Sequence, residues 1–275
     1  MFATDRQRGA TPVGRILTPK MLESTYIHCP GIGLKTEREI WSAGARTWSD
    51  FQQLGPDLHL GQAKRNALTP LVDESIYRLK QADHLWFAKC VQSREHWRAF
   101  PHFQKRVAYL DIETTGGVEP GSLTVVGVYD GIRLRQFVRG DNLDEFPEAI
   151  ADAQILVTFC GTGFDLPFLR RAFRMDFSQL HVDLCFLLKR LGYSGGLKRI
   201  EKSLGLSRSE ETAGLGGMDA VELWRDFLQG DEKSLQTLLT YNAEDVLNLE
   251  PLLQFGIAEM KNRTFEPLSR PALLR

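Results

Sequence analysis

Residues 107–116 read Val107-Ala-Tyr-Leu-Asp111-Ile-Glu113-Thr-Thr-Gly116. Val107, Ala108 and Leu110 give the segment the apolar texture of a buried strand, and Asp111 and Glu113 sit at its end. Side chains two apart on a strand share one face, so both carboxylates point the same way. Downstream, SLTVVGVYD and IRLRQFVR read as two more strands, with Asp130-Gly131 as the hairpin turn between them. A helix follows at about 142–152, then a short strand at 155–159. The pattern after that is helical at 165–174, 183–190, 197–204, 219–229 and 232–259. Three antiparallel strands followed by alternating helices and short strands predict an α/β fold, a mixed sheet with helices packed on its faces.

Two further segments carry acidic groups at telling places. Asp165 follows the loop Thr158-Phe-Cys-Gly-Thr-Gly-Phe164 and opens a helix, while Tyr241 and Asp245 lie four apart on another helix and share a face. Taken singly, each has a plain reading. An Asp-x-Glu at a strand end is a solvated turn, Asp165 is a helix N-cap, and Tyr241 is a half-buried packing residue. The ordered set carries more. Carboxylates buried together cannot all stay ionised without a compensating cation, and oxygen-only donors select Mg²⁺ or Mn²⁺. If the four carboxylates meet, two-metal phosphoryl chemistry is their natural use.

The three segments Asp111-Ile-Glu113, Gly163-Phe164-Asp165 and Tyr241-Asn-Ala-Glu-Asp245 resemble the exonuclease motifs of the DEDD superfamily in its tyrosine-containing branch, DEDDy. The chain is more closely similar to the bacterial YprB-type ribonuclease H-like proteins. That likeness adds His181-Val-Asp183-Leu184, Gly196-Leu-Lys-Arg-Ile-Glu-Lys-Ser-Leu-Gly-Leu206 and Tyr241-Asn242. It covers about 107–255 and extends more weakly to the N-terminal segment. It implies a ribonuclease H-like sheet over 106–262 and cleavage of phosphodiester bonds, typically 3′→5′, with two Mg²⁺ or Mn²⁺ ions. The substrate is DNA or RNA, single-stranded or at frayed ends. Asp111, Glu113, Asp165 and Asp245 would hold the metals, and Tyr241 would orient the attacking water. Relatives often carry Tyr-Asn-Gly where this chain has Phe159-Cys160-Gly161, and Cys160 cannot offer the hydrogen bonds of an asparagine. Hence there is a second reading, a nucleic-acid-binding module of this fold with little or no catalysis. His181 and Asp183 are secondary candidates. His181 reads as a helix-start residue, and Asp183 as a helix N-cap or an acid behind the metal ligands.

Upstream of residue 106 the chain reads as a small helical module over 21–105, after a polar lead-in at 1–20; a tail follows at 263–275. Ile27-His-Cys-Pro-Gly31-Ile32-Gly33-Leu-Lys35 resembles the hairpin of a helix–hairpin–helix unit spanning about 27–54. In such a hairpin Gly31 and Gly33 let a phosphate approach backbone N–H groups, and Lys35 adds charge. The alternative is plain packing, with Ile32, Ile40, Trp41, Trp48 and Phe51 forming a small core around a tight turn. Residues 56–70 look irregular. A helix is expected from an Asp73 N-cap to about Phe100, with Pro101 as its stop.

The 275 residues carry a net charge of −1, divided unevenly. Residues 1–106 hold 16 basic and 10 acidic side chains, whereas 107–275 hold 18 and 25. A basic front half suits phosphate and an acidic back half suits metal. From Lys64 to Arg106 nine basic residues stand among Trp86, Phe87, Trp97, Phe100 and Phe103, with Trp86 and Trp97 expected in the core. No apolar run reaches the ~18 residues of a membrane span, the N-terminus lacks the apolar stretch of a secretory signal, and the four scattered cysteines form neither a zinc knuckle nor a disulfide framework. These features point to a cytoplasmic setting away from membranes.

Overall fold

The computed structural model of the protein describes residues 20–265, so the lead-in before Lys20 and the tail beyond Phe265 lie outside the described residues. The opening segment forms strand β1, Val107–Thr114. It pairs antiparallel with β2, Leu123–Tyr129, which pairs antiparallel with β3, Leu134–Val138. On its other side β1 pairs in parallel with β4, Ile155–Thr158, and β4 pairs in parallel with β5, Leu180–Asp183. The order across the sheet is β3-β2-β1-β4-β5. The sheet is mixed and flanked by helices, as its sequence pattern predicts.

Register places the carboxylates. β4 pairs with β1 only from Val107 to Tyr109, so Asp111 and Glu113 project past the carboxyl end of β4, where an open α/β sheet forms its crevice. Pleating separates the two faces. Ala108, Leu110 and Ile112 enter one core with Phe137, Phe146 and Phe168, while Val107 and Tyr109 enter another. Asp111 and Glu113 continue the second face.

The N-terminal segment folds as helices α1, Leu34–Ser42, α2, Trp48–Leu54, α3, Gln62–Lys80, α4, His84–Cys90, and the single turn α5, Phe100–Phe103. Thr47 and Asp50 close a reciprocal capping box at the start of α2. Two expectations fail here. Residues from Gln62 onward are helical, with Pro70 inside the helix, and Asp73 lies mid-helix rather than at a cap. The true start is Gly61; the polar composition of 62–67 concealed it. The long helix expected to Phe100 breaks at Ala82, whose φ is 52°, and residues 93–99 wind as a 3₁₀ segment. Pro101 opens a turn instead of stopping one. Trp41 and Trp48 donate their indole N–H groups to Ser24 and Thr25 carbonyls at 2.8 Å, so these aromatics pack as a core. Ahead of the hairpin stands a 3₁₀ turn, Met21–Ser24, where a helix–hairpin–helix would have a full helix.

This N-terminal layer covers the β5 edge of the sheet. His96 lies within hydrogen-bond reach of the Val91 carbonyl through Nε2, and its Nδ1 accepts the backbone N–H of His181 on β5 at 2.9 Å. An edge-strand donor that would otherwise face water is thereby paired. A chain of buried charges runs alongside. Arg98 bonds both oxygens of Glu37 at 3.0 Å and Glu95 at 2.9 Å, and Glu95 also accepts from Arg190 at 2.9 Å. Breaking such a buried pair costs roughly 3–5 kcal/mol because the other charge is stranded. One apolar core runs from Met21 through Trp97, Tyr109 and Leu187 to Phe265, continuous across the junction near residue 105.

The remaining helices are α6, Phe146–Ala149, α7, Asp165–Phe173, α8, Leu184–Leu191, α9, Leu197–Ser203, α10, Gly217–Leu228, α11, Glu232–Leu247, and α12, Leu249–Thr264. The helix expected over 142–152 shrinks to a 3₁₀ turn and α6. The single helix expected over 232–259 divides at Asn248, and α12 runs past residue 262.

Candidate active site

β1, α7 and α11 bring the acidic residues into one cleft, lined by Asp111, Glu113, Asp165, Tyr241 and Asp245. Ligand oxygens of Asp111, Glu113 and Asp245 all lie within 4.8 Å of one another. Asp165 stands outside that trio but close enough to raise the proton affinity of Asp111. Asp165 is the first residue of α7 rather than its N-cap, a position held by Phe164. The correction follows from the loop Cys160–Phe164, whose turns deliver the chain to the helix one residue earlier.

Burial and mutual repulsion hold protons on the cluster. Desolvation, then the charges of Asp245, Glu113 and Asp165, push Asp111 well above the usual carboxylate range. Glu113 is raised by burial and Asp245. Burial lifts Asp165 to about 7. Asp245 is raised by burial against the opposing pull of Arg208. Three clustered carboxylates with only oxygen donors hold protons because their charges are desolvated and repel, and a hard divalent cation relieves the same repulsion in the protons' place. The donor set fits Mg²⁺ or Mn²⁺.

Neighbours beyond the five candidates fix these carboxylates. Asn242, fully buried, donates from Nδ2 to Asp111 Oδ2 at 3.0 Å, while its Oδ1 accepts from Gln136 at 3.1 Å. Gly127, opposite Asp111 in the ladder, has no Cβ to collide with Asn242, which lets α11 lie against the sheet. Arg208 forks onto Glu201 through two bonds of 2.7 Å and also pairs with Asp245. Lys198 Nζ stands 3.8 Å from the Tyr241 ring centroid. Asn242 and the segment holding Lys198 and Glu201 carried only a family likeness in the sequence. Arg208, in an irregular stretch between α9 and α10, gave no signal.

The secondary candidates stand behind the cleft. Asp183 caps α8 by accepting the Cys185 N–H at 3.1 Å. It also accepts the Cys160 and Thr162 N–H groups at 2.9 and 3.0 Å, so it clamps the loop that leads into α7 and Asp165. Cys160 lines the cleft in the left-handed region with φ 61°, a conformation asparagine tolerates better than cysteine. His181 is a β5 residue, not a helix-start residue, because a fifth strand occupies 180–183 where none was expected. Its ring lies 2.9 Å from the Thr158 hydroxyl, and burial lowers its pKa to about 4, so it is neutral. Gly31, with φ 79°, and Gly33, the residue before α1, form the N-terminal turn, with Lys35 exposed beside them. Neither glycine is near any group that a Cβ would strike. They belong to the N-terminal layer and do not line the acidic cleft.

Residues 108–255 fit the RNase_H_2 family model of the RNase H superfamily. Among solved structures, the chain is similar to the family B DNA polymerase from the hyperthermophilic archaeon Pyrobaculum calidifontis, at 20% identity over 56% of this chain with a TM-score of 0.43. It spans only 24% of that polymerase. It is also similar to Brucella melitensis NrnC bound to pGG, at 22% identity over 62% of this chain and 81% of NrnC, with a TM-score of 0.38. No curated protein matches significantly. The family match covers more than half of the 275 residues, from the second residue of β1 through the other four strands, and takes in Asp111, Glu113, Asp165, Tyr241 and Asp245, and the chain therefore belongs to the RNase H superfamily.

Proposed function

We propose that the protein is a metal-dependent nuclease, a 3′→5′ exonuclease of the DEDDy type with YprB-type kinship, acting on single-stranded or frayed DNA or RNA. One observation carries the reading: Asp111, Glu113, Asp165, Tyr241 and Asp245, drawn from three separate segments, line a single cleft. Asp111, Glu113 and Asp245 would hold the cations, with Asp165 completing the set. Two Mg²⁺ or Mn²⁺ ions held there would supply Lewis acidity to water and to the phosphodiester.

The remaining work falls to the protein. Burial, then the nearby carboxylates, push the Tyr241 phenol far above its ordinary range, so it stays protonated and acts as a hydrogen-bond donor, not as a base. It would orient the attacking water or a phosphate oxygen. Asn242 and Arg208 keep Asp111 and Asp245 from turning away. Phe164 and Met218, 47% and 73% exposed at the cleft, offer apolar surface to a terminal base. The layer over 21–105 would present the strand to a catalytic unit over 106–262, with the turn around Gly31, Gly33 and Lys35 as a phosphate contact. A cytoplasmic location accords with four free cysteines.

The test uses 5′-labelled single-stranded DNA and RNA with Mg²⁺, Mn²⁺ or EDTA. The reading expects a ladder of progressively shorter 5′-labelled products that requires metal and is suppressed by blocking the 3′ end. Immediate release of a labelled mononucleotide, or internal cuts insensitive to the block, would contradict the polarity; no cleavage in any metal would contradict the activity.

A further inference from the structure

The loop Cys160–Phe164 has two sides. One borders the acidic cleft. The other borders a second pocket, between the 3₁₀ segment at 93–99 and α8. Its wall includes Arg94, Trp97, Thr162, Asp183, Phe186 and Arg190. The pocket exists because the N-terminal layer docks on the β5 edge, so it is built from both halves of the chain.

Its chemistry is specific. Phe186 is 55% exposed on α8 and makes no ring contact among the described residues. Arg190 lies one turn further along the same helix face, steadied by Glu95 and the Arg94 carbonyl. Arg94 is exposed, and its guanidinium meets no acidic or hydrogen-bonding partner among the described residues. The one carboxylate in the wall, Asp183, already accepts three backbone N–H groups. Arg94 thus offers an unpaired cation, beside an Arg190 whose charge is shared with Glu95, and an exposed aromatic ring gives the pocket a flat apolar surface. An anion joined to a planar ring satisfies both. A nucleotide is such a group, and basic grooves with aromatic platforms are how single strands are held without sequence preference.

We infer that this pocket is a nucleotide subsite for single-stranded nucleic acid, holding a unit of the strand that lies across the Cys160–Phe164 loop from the acidic cleft. A base would stack on Phe186, and its phosphate would meet Arg94 and Arg190. The inference rests on the nuclease reading for the direction of the strand, but binding can be measured without cleavage.

The experiment is fluorescence anisotropy of the full chain in EDTA with labelled oligothymidylate and oligouridylate, repeated across a salt series. Phe186→Ala and Arg94→Ala change exposed side chains, and thermal melting of each verifies its fold. The expected result is affinity lowered roughly tenfold or more for Phe186→Ala, and lowered with a salt slope smaller by about one for Arg94→Ala. Wild-type affinity and slope in both folded variants would overturn the subsite. So would displacement by free thymidine monophosphate as effective as by the unlabelled oligonucleotide, since the pocket would then bind a free nucleotide and not a strand. If the variants bind normally while the wild type cleaves with Mn²⁺, the subsite falls and the nuclease reading stands. If binding falls in the variants but no metal supports wild-type cleavage, the subsite stands and the nuclease reading falls.

Discussion

Asn242 controls the geometry of Asp111 more directly than any other neutral side chain. It is completely buried, and its amide spans Asp111 and Gln136. Partners that orient a ligating carboxylate typically contribute about 10–100-fold to metal affinity or activity. Asn242→Ala should therefore lower the rate by a factor in that range and raise the Mn²⁺ concentration needed for half-maximal rate. An unchanged metal requirement would assign Asn242 to packing alone. At this scale the sequence was partly legible. Asp111 and Glu113 announced themselves through strand spacing, as did Tyr241 and Asp245 through helical spacing. Arg208 did not, because its partners Glu201 and Asp245 are 7 and 37 residues away and no local period links them.

At the scale of elements, the close approach of α11 to the sheet sets the cleft. It depends on Gly127 of β2, where a Cβ would overlap the Asn242 side chain and come within 2.6 Å of Val246. Gly127→Ala should destabilise the fold by about 1–3 kcal/mol and lower activity, since the displaced helix carries Tyr241 and Asp245. Denaturant titration alongside the cleavage rate measures both; a variant as stable and active as the wild type would mean that α11 packs more loosely than these distances state. Element boundaries also show where pattern reading fails. β1, β2 and β3 were legible because alternation and the Asp130-Gly131 turn are local signals. β5 was not, because four residues running directly into α8 leave no room for a period to register. Pro70 and the polar run at 62–67 disguised α3, whose burial is limited to a few positions such as Leu68 and Val72.

For the molecule as a whole, the N-terminal layer and the sheet share one core, and buried neutral histidines contribute to it. Burial lowers His28 to about 4, below the ordinary value near 6.5. The folded state thus binds that proton less readily than the unfolded chain. The stabilising contribution of neutral His28 is complete above pH ~6.5 and is lost as pH falls toward 4, at up to about 1.36 kcal/mol per pH unit. His28→Gln removes this titration. The stability of the wild type relative to His28→Gln should decline over that window, read from denaturant midpoints at successive pH values; a difference independent of pH would show that His28 titrates normally in the fold. The shared core was not legible in the sequence, where the change of texture at Val107 reads as a boundary. The contacts that cross it, such as Glu95 with Arg190, join residues far apart in the chain.

The central claim is that Asp111, Glu113 and Asp245 form a cation site on which phosphodiester cleavage depends. Asp111→Asn preserves the shape of the side chain and its bond to Asn242 while removing one negative charge, so the decisive measurement compares this variant with the wild type in Mn²⁺, by cleavage of a labelled single strand and by thermal melting. The wild type should cleave and melt at a higher temperature with Mn²⁺ than with EDTA. The variant should fold, lose cleavage by a factor of at least about 100, and lose most of the Mn²⁺-induced rise. Wild-type cleavage by Asp111→Asn, or a wild type whose melting and activity ignore Mn²⁺ and Mg²⁺ alike, would contradict the account.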